Sequence, residues 1–461
     1  MNTLEQLIAD RVFPITCFNY GGLAGSDADS KDIPDWVELG FNVPQSGHFG
    51  GGPGSVAAVR KLLDACGEAG LKVILSDGRA RFNVLHEQGE AKFTKGLAQA
   101  VKDFADHPAL FGFDVGDEPA QDRIPSAIRA SAIHKELAPD LSPFLNIGPY
   151  SPGGTEWMGL RSFGKFLDDY CEQGRPDFLC FDVYWQMLGT EQGIDDYYRC
   201  LKMYSDSARR NNKPLWITLL CCGHWEYRCP TVDDYRWQIN TAVAHGCRGL
   251  AWYVPGIGHY QNYREAPIVN GVRTDSFNWL SRACKFFQEM HGPLMVTLEL
   301  QKVWHVGKAY GGWPGTIDSE LVKAGESRDN KFPVIISEFK SPDGKDYVAV
   351  VNNSQTVSGQ AIITWHGKPT LHVHMGGSDG PAKIYVDDAN PNSPVTKTGP
   401  WLAPGQMEVY RVELDKPSMA EVIAAKTAKE MAPKRAKKSR TRRSSQSEGG
   451  KAKKKTARKK S

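Results

Sequence analysis

Residues 110–119 read LFGFDVGDEP, an apolar run that takes in Asp114 and closes on Asp117, Glu118 and Pro119. A strand apolar on both faces belongs to a sheet covered on both sides, as when helices flank parallel strands. The same texture recurs at Val12–Phe18, Gly40–Val43, Lys72–Ser76, Phe144–Ile147, Phe178–Tyr184, Leu215–Leu220 and Gly249–Tyr253. Amphipathic stretches lie between most of these runs, at Ser55–Ala69, Ala91–Asp106, Ile124–Leu137, Leu160–Gln173, Ile194–Asn211 and Val232–His245. Eight strand–helix alternations within roughly 280 residues predict a (β/α)8 (TIM) barrel over residues 1–300, rather than an open doubly wound sheet.

From about Gln301 the pattern changes. Segments such as FPVIISEF, DYVAVVNN, QAIITWHG, LHVHMGG and MEVYRVEL are separated by the turn-rich stretches SPDGK and DANPNSP. This spacing predicts a small antiparallel β-sandwich over residues 301–415. Residues 416–461 are dominated by Lys, Arg, Ala, Ser and Thr. Such a segment buries too little apolar surface to offset its ordering entropy and is expected to be a disordered basic tail.

The net charge of +3 hides two opposite halves: the tail carries 17 Lys plus Arg against 3 Glu, and the remainder 39 basic against 50 acidic side chains. An acidic body with a +14 extension is a different object from a neutral protein. The tail suits nonspecific, salt-dependent binding of nucleic acid or another polyanion. No apolar run approaches the ~20 residues of a membrane span. The N-terminus lacks a basic n-region followed by an apolar stretch, so a cytoplasmic protein without membrane contact is expected. The ten cysteines lack C-x-x-C or C-x-x-H spacing and read as buried, reduced thiols. No metal site or cofactor is expected. The Gly50–Ser55 loop has neither the Gly-Lys-Ser/Thr of a P-loop nor dinucleotide spacing, and reads as a loop over the barrel mouth.

Active sites of such barrels form at the carboxyl ends of the strands. The first run delivers Asn19 and Tyr20, the second Asn42 and His48, and the third Asp77 and Arg79. The fourth delivers Asp117 and Glu118, and the sixth Asp182, Tyr184 and Trp185. After the seventh come His224, Trp225 and Glu226, and the eighth ends in Trp252 and Tyr253. Carboxylates beside aromatic rings are what sugar hydrolysis calls for: one carboxyl protonates the leaving oxygen while another attacks the anomeric carbon or activates water. Rings can lie on the apolar faces of a sugar while polar side chains bind its hydroxyls.

LFGFDVGDEP resembles the strand-four signature of the clan A glycoside hydrolases (the beta-galactosidase and cellulase superfamily), in which Asn-Glu-Pro ends the strand and the Glu is the acid/base. The likeness extends to Trp252 at the end of the eighth strand, which in that clan lines the sugar subsite. It also includes the APGQMEVYRVEL ending of the sandwich. The resemblance implies that Glu118 is the general acid, acting on a carbohydrate substrate. Two positions depart from the clan. Its Asn is Asp117 here, and where its nucleophilic Glu ends strand seven this chain runs from Thr218 to Cys222.

The second carboxylate is therefore Asp182 or Glu226. Strands four and six lie two apart, ~10 Å at ~4.8 Å per strand, so inward side chains would bring Glu118 and Asp182 to the ~6.5–9.5 Å of inverting enzymes rather than the ~5–5.5 Å of retaining ones. Two other readings stay open. One is a non-catalytic carbohydrate-binding barrel that lacks the strand-seven nucleophile. The other is a polyanion-docking protein that acts through its tail.

Overall fold

The computed structural model describes residues 1–20, 30–151, 162–258, 262–387 and 395–414. The basic tail expected at residues 416–461 lies outside these residues. Seven parallel strands form one curled sheet: β1 (Ile15–Cys17), β2 (Val73–Leu75), β3 (Leu110–Asp117), β4 (Phe144–Ile147), β5 (Leu179–Asp182), β6 (Leu215–Leu220) and β7 (Cys247–Tyr253). Their order is β1-β7-β6-β5-β4-β3-β2, which leaves β1 and β2 as the two edges.

Residues 42–49 close the gap between those edges. On one side Val43 N–H donates to Ile15 O and Gln45 N–H to Cys17 O. On the other, Ser46 N–H donates to Ile74 O and Phe49 N–H to Ser76 O. This is the second barrel strand in irregular form, displaced from the expected Gly40–Val43. Gly40 instead caps the helix Ile33–Leu39 at φ +78°. Pro44 has no N–H to contribute, so the ladder reduces to bridges at Gln45 and Phe49. The architecture is the expected (β/α)8 barrel followed by a β-sandwich.

The barrel axis is filled from below. A short helix, Thr3–Ala9, is fixed by a capping box between Asn2 and Glu5, and Leu4 and Leu7 enter the floor of the barrel. They meet Ile74, Phe111, Phe144, Phe178 and Trp216, with Phe178 stacked on Trp216 at 4.1 Å between ring centroids. The outward residues of the same strands, such as Leu145, Phe181, Ile217 and Leu250, pack into the helix layer. The interior above this floor turns polar, and there the site lies. All ten cysteines are free; nine are buried and Cys229 is partly exposed. Among the described residues no helix is long and apolar enough to cross a membrane.

The sandwich begins at Glu299. Its first sheet runs Glu299–Val306, Val334–Lys340, Asp346–Asn352, Met407–Glu413, Thr370–Met375, Ser378–Pro381, with antiparallel neighbours. Ile335, Ala349, Val351 and Val409 on one face join the barrel core. Ile336, Val348, Val350 and Tyr410 on the other meet Val322, Ile363 and Trp365 of the second sheet. Asn353 Oδ1 accepts from Tyr198 Oη (2.5 Å) and Trp237 Nε1 (3.0 Å), both on barrel helices. Asn240 Nδ2 donates to Gly405 O (2.8 Å).

Gly405 has φ +67°, and a Cβ there would stand 2.4 Å from Trp237 Cα. Replacing it with Ala combines left-handed backbone strain with a backbone clash, so Gly405→Ala should cost about 3 kcal/mol or more. Urea unfolding followed by tryptophan fluorescence measures this. An unchanged midpoint would show that the contact contributes nothing to stability.

Candidate active site

On a regular barrel strand alternate residues face the axis. In β5 these are Cys180 and Asp182, in β6 Trp216 and Thr218, and in β7 Gly249, Ala251 and Tyr253. The strand β3 breaks the rule twice. Its register slips between Leu110 and Gly112 against β2, and again between Asp114 and Gly116 against β4. Each irregularity shifts the inward position by one residue, so Phe111, Asp114 and Asp117 all point inward. Asp117 then lies beside Asn146 of β4.

Glu118 follows at φ +38°, a left-handed backbone that non-glycine residues rarely adopt and that clusters at functional sites. Its N–H donates to Asn146 O (2.9 Å). The side chain crosses above Gly148, where a Cβ would lie 3.3 Å from Glu118 Oε1. It ends in hydrogen-bonding contact with the carboxyl group of Asp182. The separation expected from strand spacing is thus corrected. The strands are two apart, but the turned backbone of Glu118 brings its carboxyl across β4 until the two groups touch.

Asn146 ties the layer together. Its Nδ2 donates to Asp117 Oδ1 (2.9 Å) and Asp182 Oδ1 (3.1 Å), and its Oδ1 accepts from Thr218 Oγ1 (3.0 Å). Tyr20 Oη donates to Asp117 Oδ2 (3.4 Å). Burial, with the charge of Asp114 adding to it, pushes Asp117 up to about 6. Burial and then the charge of Asp117 raise Glu118. Burial, then the charges of Glu118 and Asp117, raise Asp182 well above the usual carboxylate range. Two carboxyl groups in contact cannot both ionise readily, so the pair holds a proton into a pH range where ordinary carboxylates have lost theirs.

Aromatic rings wall the cavity above, which measures about 230 Å³. Tyr184 stacks on Tyr253 at 5.5 Å, and Tyr20 and Tyr227 meet them edge-on at 5.8 and 5.9 Å. Tyr253 and Tyr263 hydrogen-bond through their hydroxyls. His224 lies against Tyr253 and Tyr263, and burial lowers its pKa, which favours the neutral ring.

Of the residues singled out from sequence, Tyr20, Asp117, Glu118, Asp182, Tyr184, Trp185, His224 and Tyr253 line this cavity together. The others do not. Trp252 is fully buried on the outward face of β7, edge-on to Tyr235 in the helix layer, because the face parity that aims Tyr253 inward aims Trp252 away. Asn42 sits at the opposite end of the barrel, its side chain bonding Ile15 N–H (2.8 Å) and Phe13 O (2.9 Å). Asp77 is fully buried in an ion pair with Arg79 (2.7 Å), which also pairs with Asp103 (2.7 Å), so neither is offered to a ligand. Gly51 lies against that Arg79 side chain.

Glu226 and Trp225 are exposed and outside the lining. Asn19 lines a neighbouring cavity beyond Tyr20. No carboxylate ends β6, where Leu220, Cys221 and Cys222 are buried. Sequence reasoning missed Asn146 and Tyr227. The signal for Asn146 was a lone amide inside the apolar run FLNI, where a buried polar group must find partners; Tyr227 gave none.

The raised Asp117 has a consequence for stability. Its folded pKa of about 6 lies above the ordinary 3.8, so the native state binds the extra proton. Its contribution is therefore greatest below pH ~4 and is lost as pH rises to 6, by up to about 3 kcal/mol. Asp117→Asn should unfold at higher temperature than the wild type at pH 8, the difference vanishing toward pH 4. Calorimetry at both pH values checks this, and a variant less stable than the wild type at pH 8 contradicts it.

No described protein family matches the sequence, and no curated protein matches it. Among solved structures, one described as a glycoside hydrolase superposes with a TM-score of 0.52 at 13% identity, over 87% of this chain and 92% of that one. A family 5 glycoside hydrolase from Bacteroides vulgatus ATCC 8482 gives 0.51 at 12% identity, over 87% and 89%. At these identities the likeness concerns the fold: the chain shares the barrel-and-sandwich architecture of known glycoside hydrolases, as the resemblance of its fourth strand implied.

Proposed function

We propose that the chain hydrolyses glycosidic bonds, with Glu118 donating the proton to the leaving oxygen and Asp182 serving as the second carboxylate. The observation that carries this reading is the contact between the two carboxyl groups beneath an aromatic-walled cavity at the carboxyl end of the barrel.

The two partners are held differently. Asp182 is fixed by Asn146 Nδ2, whereas among the described residues the Glu118 carboxyl meets no donor other than Asp182. Glu118 is also the more exposed of the two. It is therefore the group that swings out as a sugar enters, opening the pair toward the ~5–9.5 Å at which glycosidases work. In the closed pair Asp182 carries the shared proton and donates it to Glu118. As the pair opens the proton passes along that hydrogen bond to Glu118, with Asn146 Nδ2 stabilising the carboxylate left on Asp182, and the glycosidic oxygen takes it from there. Asp182 stays ionised at the anomeric centre, as nucleophile or as base toward water. Tyr184, Trp185 and Tyr253 pack on the sugar, and Tyr20, Asp117 and His224 bind its hydroxyls.

A panel of aryl glycosides and oligosaccharides tests this. Glu118→Gln and Asp182→Asn should each lower kcat/KM by ~10²–10⁴-fold, with Glu226→Gln near wild type. Activity should fall as pH rises through the raised pKa of the pair, because the acid form is lost. Absence of cleavage, with sugars binding equally well to wild type and Glu118→Gln, would replace this reading with the non-catalytic carbohydrate-binding barrel.

The charge split supports a second activity. With +14 over residues 416–461, the tail should retain duplex DNA or heparin at low salt and release it at high salt. Retention unchanged after deleting residues 416–461 would dismiss it.

A further inference from the structure

At the amino-terminal end of the barrel, away from the candidate active site, a second cavity of about 180 Å³ opens where β6 and β7 begin and the chain enters the sandwich. Three cationic side chains line it: Arg209, Lys213 and Arg248. Among the described residues none of them makes an ion pair. Elsewhere Arg60, Arg79, Arg81, Arg129 and Arg228 each pair with a carboxylate. Arg248 is partly buried, and its burial disfavours the charge, opposed only by the exposed Glu299. Glu299 lines the same cavity but forms no ion pair with Arg248, so the partly buried guanidinium is only weakly compensated, and an anion supplied from solution reduces that cost.

The two guanidinium groups are also held in place. Arg248 Nε donates to Val296 O (2.7 Å), and Arg209 Nη2 donates to Gln301 O (2.9 Å). Val296 lies in the stretch joining barrel to sandwich, and Gln301 in the first strand of the sandwich. Each arginine is thus fixed through one N–H while its other donors lack a protein acceptor among the described residues. A planar fork fixed in this way is pre-organised for an oxyanion.

We propose that this cavity binds a small oxyanion, a phosphate or carboxylate group held by Arg248, Arg209 and Lys213 between the barrel floor and the first strand of the sandwich. The site is remote from Glu118 and Asp182, so its occupancy is independent of the hydrolase reading. A ligand there bonds both layers at once and stabilises the native chain by mass action.

The test is thermal unfolding and titration calorimetry of the full chain with sodium phosphate, sodium sulfate or sodium citrate, against sodium chloride at matched ionic strength. Phosphate should raise the unfolding midpoint with the logarithm of its concentration and bind saturably. Arg248→Met and Lys213→Met, which keep the aliphatic stems, should each weaken that affinity about tenfold, the effect of one charge-assisted hydrogen bond. Glu299→Gln should tighten it. A response to phosphate and sulfate alone identifies a phosphoryl-type ligand, and a response to citrate alone a carboxylate. If Arg248→Met does not fold, Lys213→Met and Glu299→Gln decide. Anions indistinguishable from chloride, or a response that survives the Lys213 and Arg248 changes, would overturn the proposal.

Discussion

A barrel strand shows one face to the axis and the other to the helices, and a slip of one residue exchanges them. Everything at the mouth of this barrel follows from that constraint. In β7 it sends Tyr253 to the cavity and Trp252 to the helix layer, although the two are adjacent and both aromatic. In β3 two register irregularities suspend it, giving three inward residues spaced by three, Phe111, Asp114 and Asp117. A regular strand with Phe111 facing in would have turned Asp114 toward the helices. Glu118, one step beyond the strand, reaches the axis because its backbone turns left-handed there.

What assembles is a polar layer laid on an apolar floor. Phe178 and Trp216 exclude water from below, and tyrosines restrict it from above. Among the described residues Asn146 and Tyr20 are the side-chain donors to Asp117 and Asp182, too few to solvate both as carboxylates, and the more exposed Glu118 has Asp182 alone. The layer persists by retaining protons, and so its carboxyl groups titrate above the ordinary range. Burial that is unfavourable for folding thereby keeps these carboxyl groups protonated above their ordinary range, at a cost in stability.

Much of this was legible in the sequence. Runs without a polar face gave the parallel sheet, and carboxylates closing the fourth and sixth runs gave Glu118 and Asp182. The sequence concealed three other things. Face parity at Trp252 and Tyr253 depends on where β7 starts, and its start at Cys247 is not marked by residue type. The contact between Glu118 and Asp182 depends on one backbone dihedral. Asp77 and Arg79 read as rim residues, yet an acid and a base two positions apart satisfied each other locally, with Asp103 completing the pair from a distant helix.

The central strands of the sandwich's first sheet, Val334–Lys340 and Asp346–Asn352, have no wet side. Ile335, Ala349, Val351 and Val409 belong to the barrel's core, while their neighbours along the same strands belong to the sandwich's own. A chain ending near residue 298 would leave Tyr198 and Trp237 facing water and remove the acceptor that both indole and phenol use. The boundary visible in the sequence is therefore a change of architecture and not a place where the molecule can be divided. Heat or denaturant meets one cooperative body, and a weakness introduced in the sandwich lowers the stability of the whole barrel, the cavity at its carboxyl end included.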